Sequence, residues 1–363
     1  MRLPSLDGWR AVAILMVVLS HFTATRGFSP PEWWTDVFQG NLGVRIFFVI
    51  SGLLITYLLL LEADRRGRPS LRSFYTRRVL RIFPVYFLYL AVVGALTIAG
   101  LYRETLTMWI GSLTFTRNFI GQPQSLTGHY WSLAVEEQFY VMWPVMLVAL
   151  RLWERPRLAI GLLLVPVVLC PIVRTNVIHE RWDNELVARA HYFYSTARYA
   201  DSLAIGCLGA FAYRRYRNLL ARTPWWTLGA ALILFALAAA ASGRVGSGEA
   251  LLPLIQAIAV LVAICVTLER RSGVVYWILN RRAVAWVGVL SYSLYVWQEL
   301  FVSWSAGPRL SALPVYDWRI WWIPAVACAC ASYYFVERPI LRIRDRYRRV
   351  ASPGVNPGPR MPL

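Results

Sequence analysis

Apolar residues run in long blocks along this chain, separated by polar connections. The blocks cover residues 8–25, 42–62, 82–101, 131–152, 158–173, 197–213, 225–242, 250–268, 284–304 and 319–337. Runs of about 17–25 apolar residues match the hydrocarbon thickness of a bilayer. A backbone facing lipid must satisfy its own hydrogen bonds, so each block is predicted to be a helix. The pattern therefore predicts an all-α fold: a polytopic integral membrane helical bundle of about ten transmembrane helices. Residues 1–345 form the membrane domain in this reading. Residues 346–363 read as a basic, Pro/Gly-rich tail with too little apolar surface to fold.

Two segments strain the pattern. The first block follows Arg2 and Arg10 as a signal peptide would, but Phe22-Thr-Ala makes a poor cleavage site, so a retained first span is expected. Residues 102–130 are too long for a tight connection, and Met108–Phe119 is moderately apolar. An eleventh crossing there would invert the sidedness of every later basic loop. An amphipathic or re-entrant segment is expected instead.

Composition agrees with a membrane protein, at 58% hydrophobic and 16% charged. The net charge of +19 raises the question of nucleic acid, but the basic residues, all arginine, form no single patch. They cluster at Arg65–Arg81, Arg151–Arg157, Arg214–Arg222, Arg270–Arg282 and Arg342–Arg349. All five clusters fall on one side of a ten-span bundle, as basic loops retained in the cytoplasm do. Both termini are thus expected in the cytoplasm, in a multi-pass protein of the cell membrane, and no nucleic-acid partner is expected. Cys170, Cys207, Cys265, Cys328 and Cys330 lie in apolar blocks in odd number, which reads as buried packing. The four histidines form no HxxxH or HExxH spacing, so no metal site is expected.

Ionisable groups inside apolar blocks are costly and therefore informative. Leu6-Asp7-Gly-Trp-Arg10 opens the first block and His21 nears its end. Eleven residues of helix separate Arg10 from His21 by about 16 Å. The pair suggests an anion site at one end and a proton acceptor at the other. Gly43-Val-Arg45-Ile-Phe-Phe-Val-Ile-Ser51-Gly52 carries small residues suited to a packing seam, with Arg45 near the outer end. Arg78 and Arg81 lie three apart on one helix face, a fork suited to phosphate as well as to anchoring at the membrane surface. In Trp131-Ser132-Leu-Ala-Val-Glu136-Glu137-Gln-Phe-Tyr140, the residues Ser132, Glu136 and Tyr140 fall on one stripe. Counted by depth, Glu136 comes level with His21, where a carboxylate would orient the imidazole. An ion pair or a helix cap is the structural alternative for these carboxylates. Arg198 and Asp201 are expected to pair, and Glu337-Arg338-Pro339 to end the last span, with Pro stopping the helix.

Taken in order, these motifs resemble the membrane acyltransferase family 3, whose members O-acylate surface polysaccharides, lipopolysaccharide, peptidoglycan and some macrolides. The resemblance runs from Leu6 to about Arg342 and includes Ser291-Tyr-Ser-Leu-Tyr295-Val-Trp297 and Phe335-Val-Glu337-Arg338-Pro339. It implies His21 as catalytic base, with Glu136 orienting His21 or positioning the acceptor. It implies that Arg10, Arg78 and Arg81 hold the phosphates of acyl-CoA at the cytoplasmic mouth. Asp7, Arg45, Ser51, Trp131, Ser132, Glu137, Tyr140, Arg198 and Asp201 are supporting candidates. Relatives commonly carry His where Gln298 stands, so position 298 is left out of the catalytic set.

The expected reaction moves an acyl group, by default acetyl, from cytoplasmic acyl-CoA to a hydroxyl of a carbohydrate-like acceptor. Acyl-CoA serves as co-substrate and no tightly bound cofactor is implied. Many relatives carry a fused extracytoplasmic hydrolase-like domain, and a stand-alone member is expected here. The rival class is a transporter or proton-coupled channel that uses the buried Arg, His and Glu as a relay.

Overall fold

The computed structural model describes residues 5–120, 125–179, 196–224, 226–242 and 250–342. The expected tail at 346–363, the side chain of His179 and all of His191 lie outside the described residues. Among the described residues the fold is helical and contains no strand. Helices occupy all ten predicted blocks: α1 (Leu6–His21), α3 (Gly40–Arg66), α4 (Leu71–Ile98), α6 (Tyr130–Ala149), α7 (Pro156–His179), α8 (Thr196–Leu220), α9 (Trp226–Ala241), α10 (Leu252–Glu269), α12 (Arg282–Gln298) and α14 (Trp322–Ser332). Short helices α2 (Glu32–Val37), α5 (Leu106–Leu113), α11 (Val274–Leu279) and α13 (Ser303–Ser311) lie in the connections. Five helical segments are long and apolar enough to cross a bilayer unaided: Leu6–Ala24, Trp33–Arg66, Leu71–Ile98, Pro156–Thr175 and Leu252–Glu269. The chain is a multi-pass membrane protein.

Three helix ends differ from expectation, and each difference has a local cause. Helix α1 stops at His21 and tightens into a 3-10 turn, Phe22–Ala24, instead of running to residue 25. Helix α12 stops at Gln298 rather than near 304, and a 3-10 turn follows over Glu299–Phe301. There Ser305 Oγ donates to Glu299 Oε1 at 2.6 Å, which folds the chain back and keeps the carboxylate inside. At the last span Pro339 does not stop the helix. A π turn over Tyr333–Glu337 widens the spiral, and helix continues through residue 342. The Arg338 N–H reaches Tyr333 O, five residues back, so the ordinary ladder is already broken where the ring enters.

The described parts of segment 102–130 form no crossing. Eight residues of α5 span about 12 Å, well short of a hydrocarbon core of about 30 Å. It folds instead as a polar-tied cap. Arg117, 2% exposed, donates to Ile120 O at 2.8 Å and Ser125 Oγ at 3.0 Å. Glu104 accepts from Tyr102 (2.9 Å) and Thr127 (3.1 Å). Gln138 of α6 donates to Phe115 O and Asn118 Oδ1, both at 2.9 Å, fixing the cap to the bundle.

Helix α1 sits between α3 and α12, and contact there is backbone to backbone. A Cβ added at Gly288 of α12 would lie 1.7 Å from Asp7 O. Between α3 and α8 the same closeness holds, since a Cβ at Gly52 would lie 2.1 Å from Leu203 O. Gly52 is thus the seam expected of it, whereas Ser51 beside it turns to a polar cavity. At the start of α1, Ser5 Oγ donates to Thr267 O (3.1 Å) and Trp9 Nε1 to Thr267 Oγ1 (2.9 Å), pinning this end to α10.

Two outcomes test this packing. Gly288→Ala is expected to destabilise the protein by about 1–3 kcal/mol, the ordinary cost of overpacking. Gly161→Ala, on α7 with nothing within 4 Å, is expected to be neutral or to stabilise by about 0.5–1 kcal/mol. Thermal melts in nanodiscs decide the matter, and equal melting temperatures for the two variants would refute the backbone contact.

The cap carries its own pH dependence. Burial pushes the Glu104 carboxyl above its ordinary value, against the hydrogen bonds from Tyr102 and Thr127 and the charge of Arg117. The folded cap therefore holds this proton more tightly than the unfolded chain does. Its contribution is full below the ordinary carboxylate value and is lost as pH rises through the raised one. The melting temperature of wild type relative to Glu104→Gln is expected to fall between about pH 4 and pH 8. A difference that stays flat would remove Glu104 from the account.

Candidate active site

A cavity of about 760 Å³, counted with its open mouth, lies between α1, α3, α4, α6 and α12. Its charged lining is Arg10 from α1, Arg78 and Arg81 from α4, and Glu136 from α6. Helix α4 brings Arg78 and Arg81 to one side because they stand three residues apart. The Arg78 guanidinium lies over the Tyr140 ring, 3.8 Å from its centre, which holds the cation without neutralising it. Arg10 has Asp7 at 3.4 Å on its own helix. Ser51 and Tyr140 both hydrogen-bond the Glu136 carboxylate. The wall thus carries three cations against one anion, and the anion is already held by two hydroxyls. Such a wall suits a ligand with several negative charges and hydrogen-bonding groups behind them.

The cavity lining also includes Ser132 and Tyr295, whose hydroxyls lie 2.5 Å apart. Tyr295 also donates to His129 O at 3.1 Å. Tyr292 fixes the wall by donating to Ile82 O of α4 at 2.8 Å. His129, at the head of α6, is buried against Tyr89, Tyr130 and Tyr295. It lies within electrostatic reach of His21.

His21 is the last residue of α1, and Gln298 is the last of α12. His21 Nδ1 lies 2.7 Å from Gln298 Oε1 and 3.8 Å from Glu299 Oε2. This is a correction to the expected His21–Glu136 contact, since Glu136 bonds Ser51 and Tyr140 instead. The cause is depth. Glu136 stands six residues inside α6, about 9 Å from its start, whereas His21 ends its helix. Counting residues from span boundaries does not resolve such offsets.

A second cluster collects other expected residues. The Arg45 and Arg198 guanidiniums lie 5.6 Å and 5.9 Å from the Tyr199 ring, and Trp131 packs on that ring at 4.9 Å. Arg45 donates to Ser202 Oγ at 3.1 Å. The ion-pair partner of Asp201 is Arg174 at 2.6 Å, not the Arg198 expected from spacing. Arg174 also donates to Ala250 O and Arg198 O, so it ties α7 to α8 and to the turn before α10. Glu137 lies half-buried beside Glu136 and off the cavity wall.

Sequence reading gave no site role to Gln298, Glu299, Arg174, Tyr292 or Tyr295, whereas Tyr140 was among its candidates. Glu299 carried a usable signal, a carboxylate inside the apolar block 284–304. Gln298 was set aside because relatives commonly carry His there. Among the described residues no group of three His, Cys, Asp or Glu side chains comes together to hold a metal. All five cysteines are free thiols, three of them buried.

The chain is similar to known proteins along most of its length. The chain is 28% identical over 368 residues to the "Putative peptidoglycan O-acetyltransferase YrhL" of Bacillus subtilis, an alignment covering 93% of this chain and 55% of that protein. It is 27% identical over 366 residues to the peptidoglycan O-acetyltransferase OatA of Listeria monocytogenes, covering 93% and 55%. The chain thus spans about half the length of these curated relatives. No solved structure matches it significantly. The sequence model of the acyltransferase domain matches residues 3–336, so nearly every element described above, cavity and His21 included, falls within the match, and the chain belongs to the acyltransferase-domain family.

Proposed function

We propose that this chain is a membrane O-acyltransferase that moves an acetyl group from acetyl-CoA to a hydroxyl of a carbohydrate acceptor in the cell envelope. The observation that carries this reading is the cavity wall, where Arg10, Arg78 and Arg81 converge with only one lining carboxylate. Coenzyme A brings several phosphate charges, which is what such a wall needs. Ser51, Tyr140 and Glu136 then meet the amide groups of the pantetheine arm. In this reading the chain crosses the bilayer ten times with both termini in the cytoplasm, so the arginines face the acyl-CoA pool. The acceptor class is suggested by the two relatives, which carry peptidoglycan in their names.

The arm runs along α1 toward His21, about 16 Å from Arg10. His21 removes the proton of the acceptor hydroxyl as its oxygen attacks the thioester carbonyl. The new C–O bond forms, the C–S bond breaks, and the imidazolium returns its proton to the departing thiolate. In this reading the thioester passes the lining residues Ser132 and Tyr295 on its way to His21.

Two measurements test the reading. Full-length protein in liposomes, given acetyl-CoA and a peptidoglycan-type oligosaccharide, is expected to release free thiol. His21→Ala should lower that rate by at least about 100-fold, the usual contribution of a general base. A wild-type rate in this variant, or substrate movement across the bilayer without thiol release, would sink the proposal.

Arg78→Ala and Arg81→Ala address the donor site. Each is expected to raise the KM for acetyl-CoA by about 10-fold or more, in line with about 1.5–3 kcal/mol for a hydrogen bond to a charged group. Added salt should weaken wild-type donor binding more than that of either variant. An unchanged KM in both would place the coenzyme elsewhere.

A further inference from the structure

The helix ends around His21 point to a device that the cavity does not explain. Helices α1 and α12 both end at this spot, so the negative ends of two helix dipoles converge on one imidazole. Gln298 Oε1 lies 2.7 Å from His21 Nδ1 and Glu299 Oε2 lies 3.8 Å from the same atom. An amide oxygen and a carboxylate oxygen only accept. The amide oxygen, at hydrogen-bond distance, accepts the hydrogen of Nδ1, and the carboxylate, beyond that distance, favours the same arrangement by its charge. Nε2 is then left with its lone pair.

Glu299 is built into this position. Its side chain is 4% exposed, and Ser305 Oγ holds its other oxygen at 2.6 Å. The Ser305 bond fixes the turn and holds the second carboxylate oxygen facing His21, where it meets any positive charge the imidazole gains. The other groups around His21 do not take this role. His129 comes from the head of α6 and is itself buried among aromatic rings. Arg45, the charge at the corresponding end of α3, is engaged by Ser202 and Tyr199. Arg10 stands eleven residues away at the opposite end of α1.

We infer that Gln298 and Glu299 are a positioning pair for His21: Gln298 fixes the Nδ1–H tautomer, and Glu299 stabilises the imidazolium that forms when Nε2 takes the acceptor proton. The inference rests on the acyl-transfer reading for its purpose but not for its test. In the reaction the hydroxyl proton moves to Nε2, the acceptor oxygen bonds the thioester carbon, and the proton leaves with the thiolate. Through that cycle Nδ1–H stays on Gln298 while the positive charge is held by Glu299.

The test uses the full chain in nanodiscs with 15N-labelled histidine, the His21 signals being assigned by their loss in His21→Asn. Wild-type His21 is expected to show the Nδ1–H tautomer when neutral. Glu299→Gln should weaken proton binding at His21 about tenfold, and Gln298→Glu should strengthen it by at least as much. The acid limb of kcat is expected to follow, moving to lower pH in the first variant and to higher pH in the second, with the KM for acetyl-CoA unchanged. Opposite shifts cannot come from a general loss of packing. If Glu299→Gln fails to fold, Gln298→Glu and Glu299→Asp carry the test, the latter staying near wild type. An Nε2–H tautomer in wild type, or variants that leave proton binding unchanged or shift it the same way, would overturn the pair. A wild-type protein that releases no thiol would instead overturn the acyl-transfer reading, and the spectra would still decide the pair.

Discussion

Helix α1 can lie against α12 only because Gly288 has no side chain: the Asp7 carbonyl occupies the space a Cβ would need. Much of the candidate site follows from that contact. Helix α1 carries Arg10 at one end and His21 at the other. Helix α12 carries Ser291, Tyr292 and Tyr295 along the cavity and ends at Gln298. Pressing the two backbones together sets the cavity wall and the histidine's partners in one step. Water does not drive helices together inside a bilayer, so close backbone approach and polar contacts must do it. The pins at the start of α1, from Ser5 and Trp9 to Thr267, supply the polar share.

The same logic explains where charge is tolerated. A charge at the bilayer centre costs at least about 2.5–3.5 kcal/mol, so it persists only where something offsets it. Arg174 is offset by Asp201 and two carbonyl oxygens, and joins α7 to α8 and to the turn before α10. Arg117 is offset by a carbonyl and hydroxyls in the cap. Arg78 lies over the face of Tyr140, a weaker compensation, with Glu137 within electrostatic reach. Arg174 and Arg117 thus serve the scaffold, whereas Arg78 lines the cavity.

Much of the fold was legible in the sequence because lipid enforces a simple rule. Every predicted apolar block became a helix, and the weakly apolar stretch at 102–130 did not become a crossing. Helix ends were harder. The π turn before Pro339 and the turn after Gln298 rest on particular hydrogen bonds, Arg338 N–H to Tyr333 O and Ser305 to Glu299, that the apolar pattern does not encode. In the site, Arg10, Arg78 and Arg81 were found together because each stands out as a cation on an apolar helix. The pairing of His21 was misread for a physical reason. Helices enter a bundle at different heights and tilts, so residues equally far from their predicted boundaries need not meet. Glu299 was passed over although the rule that singled out Glu136 applied to it equally.

The layout also bears on how donor and acceptor would meet under the proposed reading. His21 is not among the residues that line the cavity, whereas Ser132 and Tyr295 are, their hydroxyls 2.5 Å apart. Tyr295 also donates to the carbonyl of His129, which lies within electrostatic reach of His21. Hydrolysis of a thioester needs only water and a base, so the proposed reaction requires base and thioester to stay apart until the coenzyme is bound. The three cavity arginines would supply the means. A polyphosphate ligand that satisfies them gains binding energy remote from the reacting carbon, and energy of that kind can drive a rearrangement of the contacts between cavity and histidine. On that reading the cluster of Arg10, Arg78 and Arg81 would couple recognition of the coenzyme to delivery of its thioester.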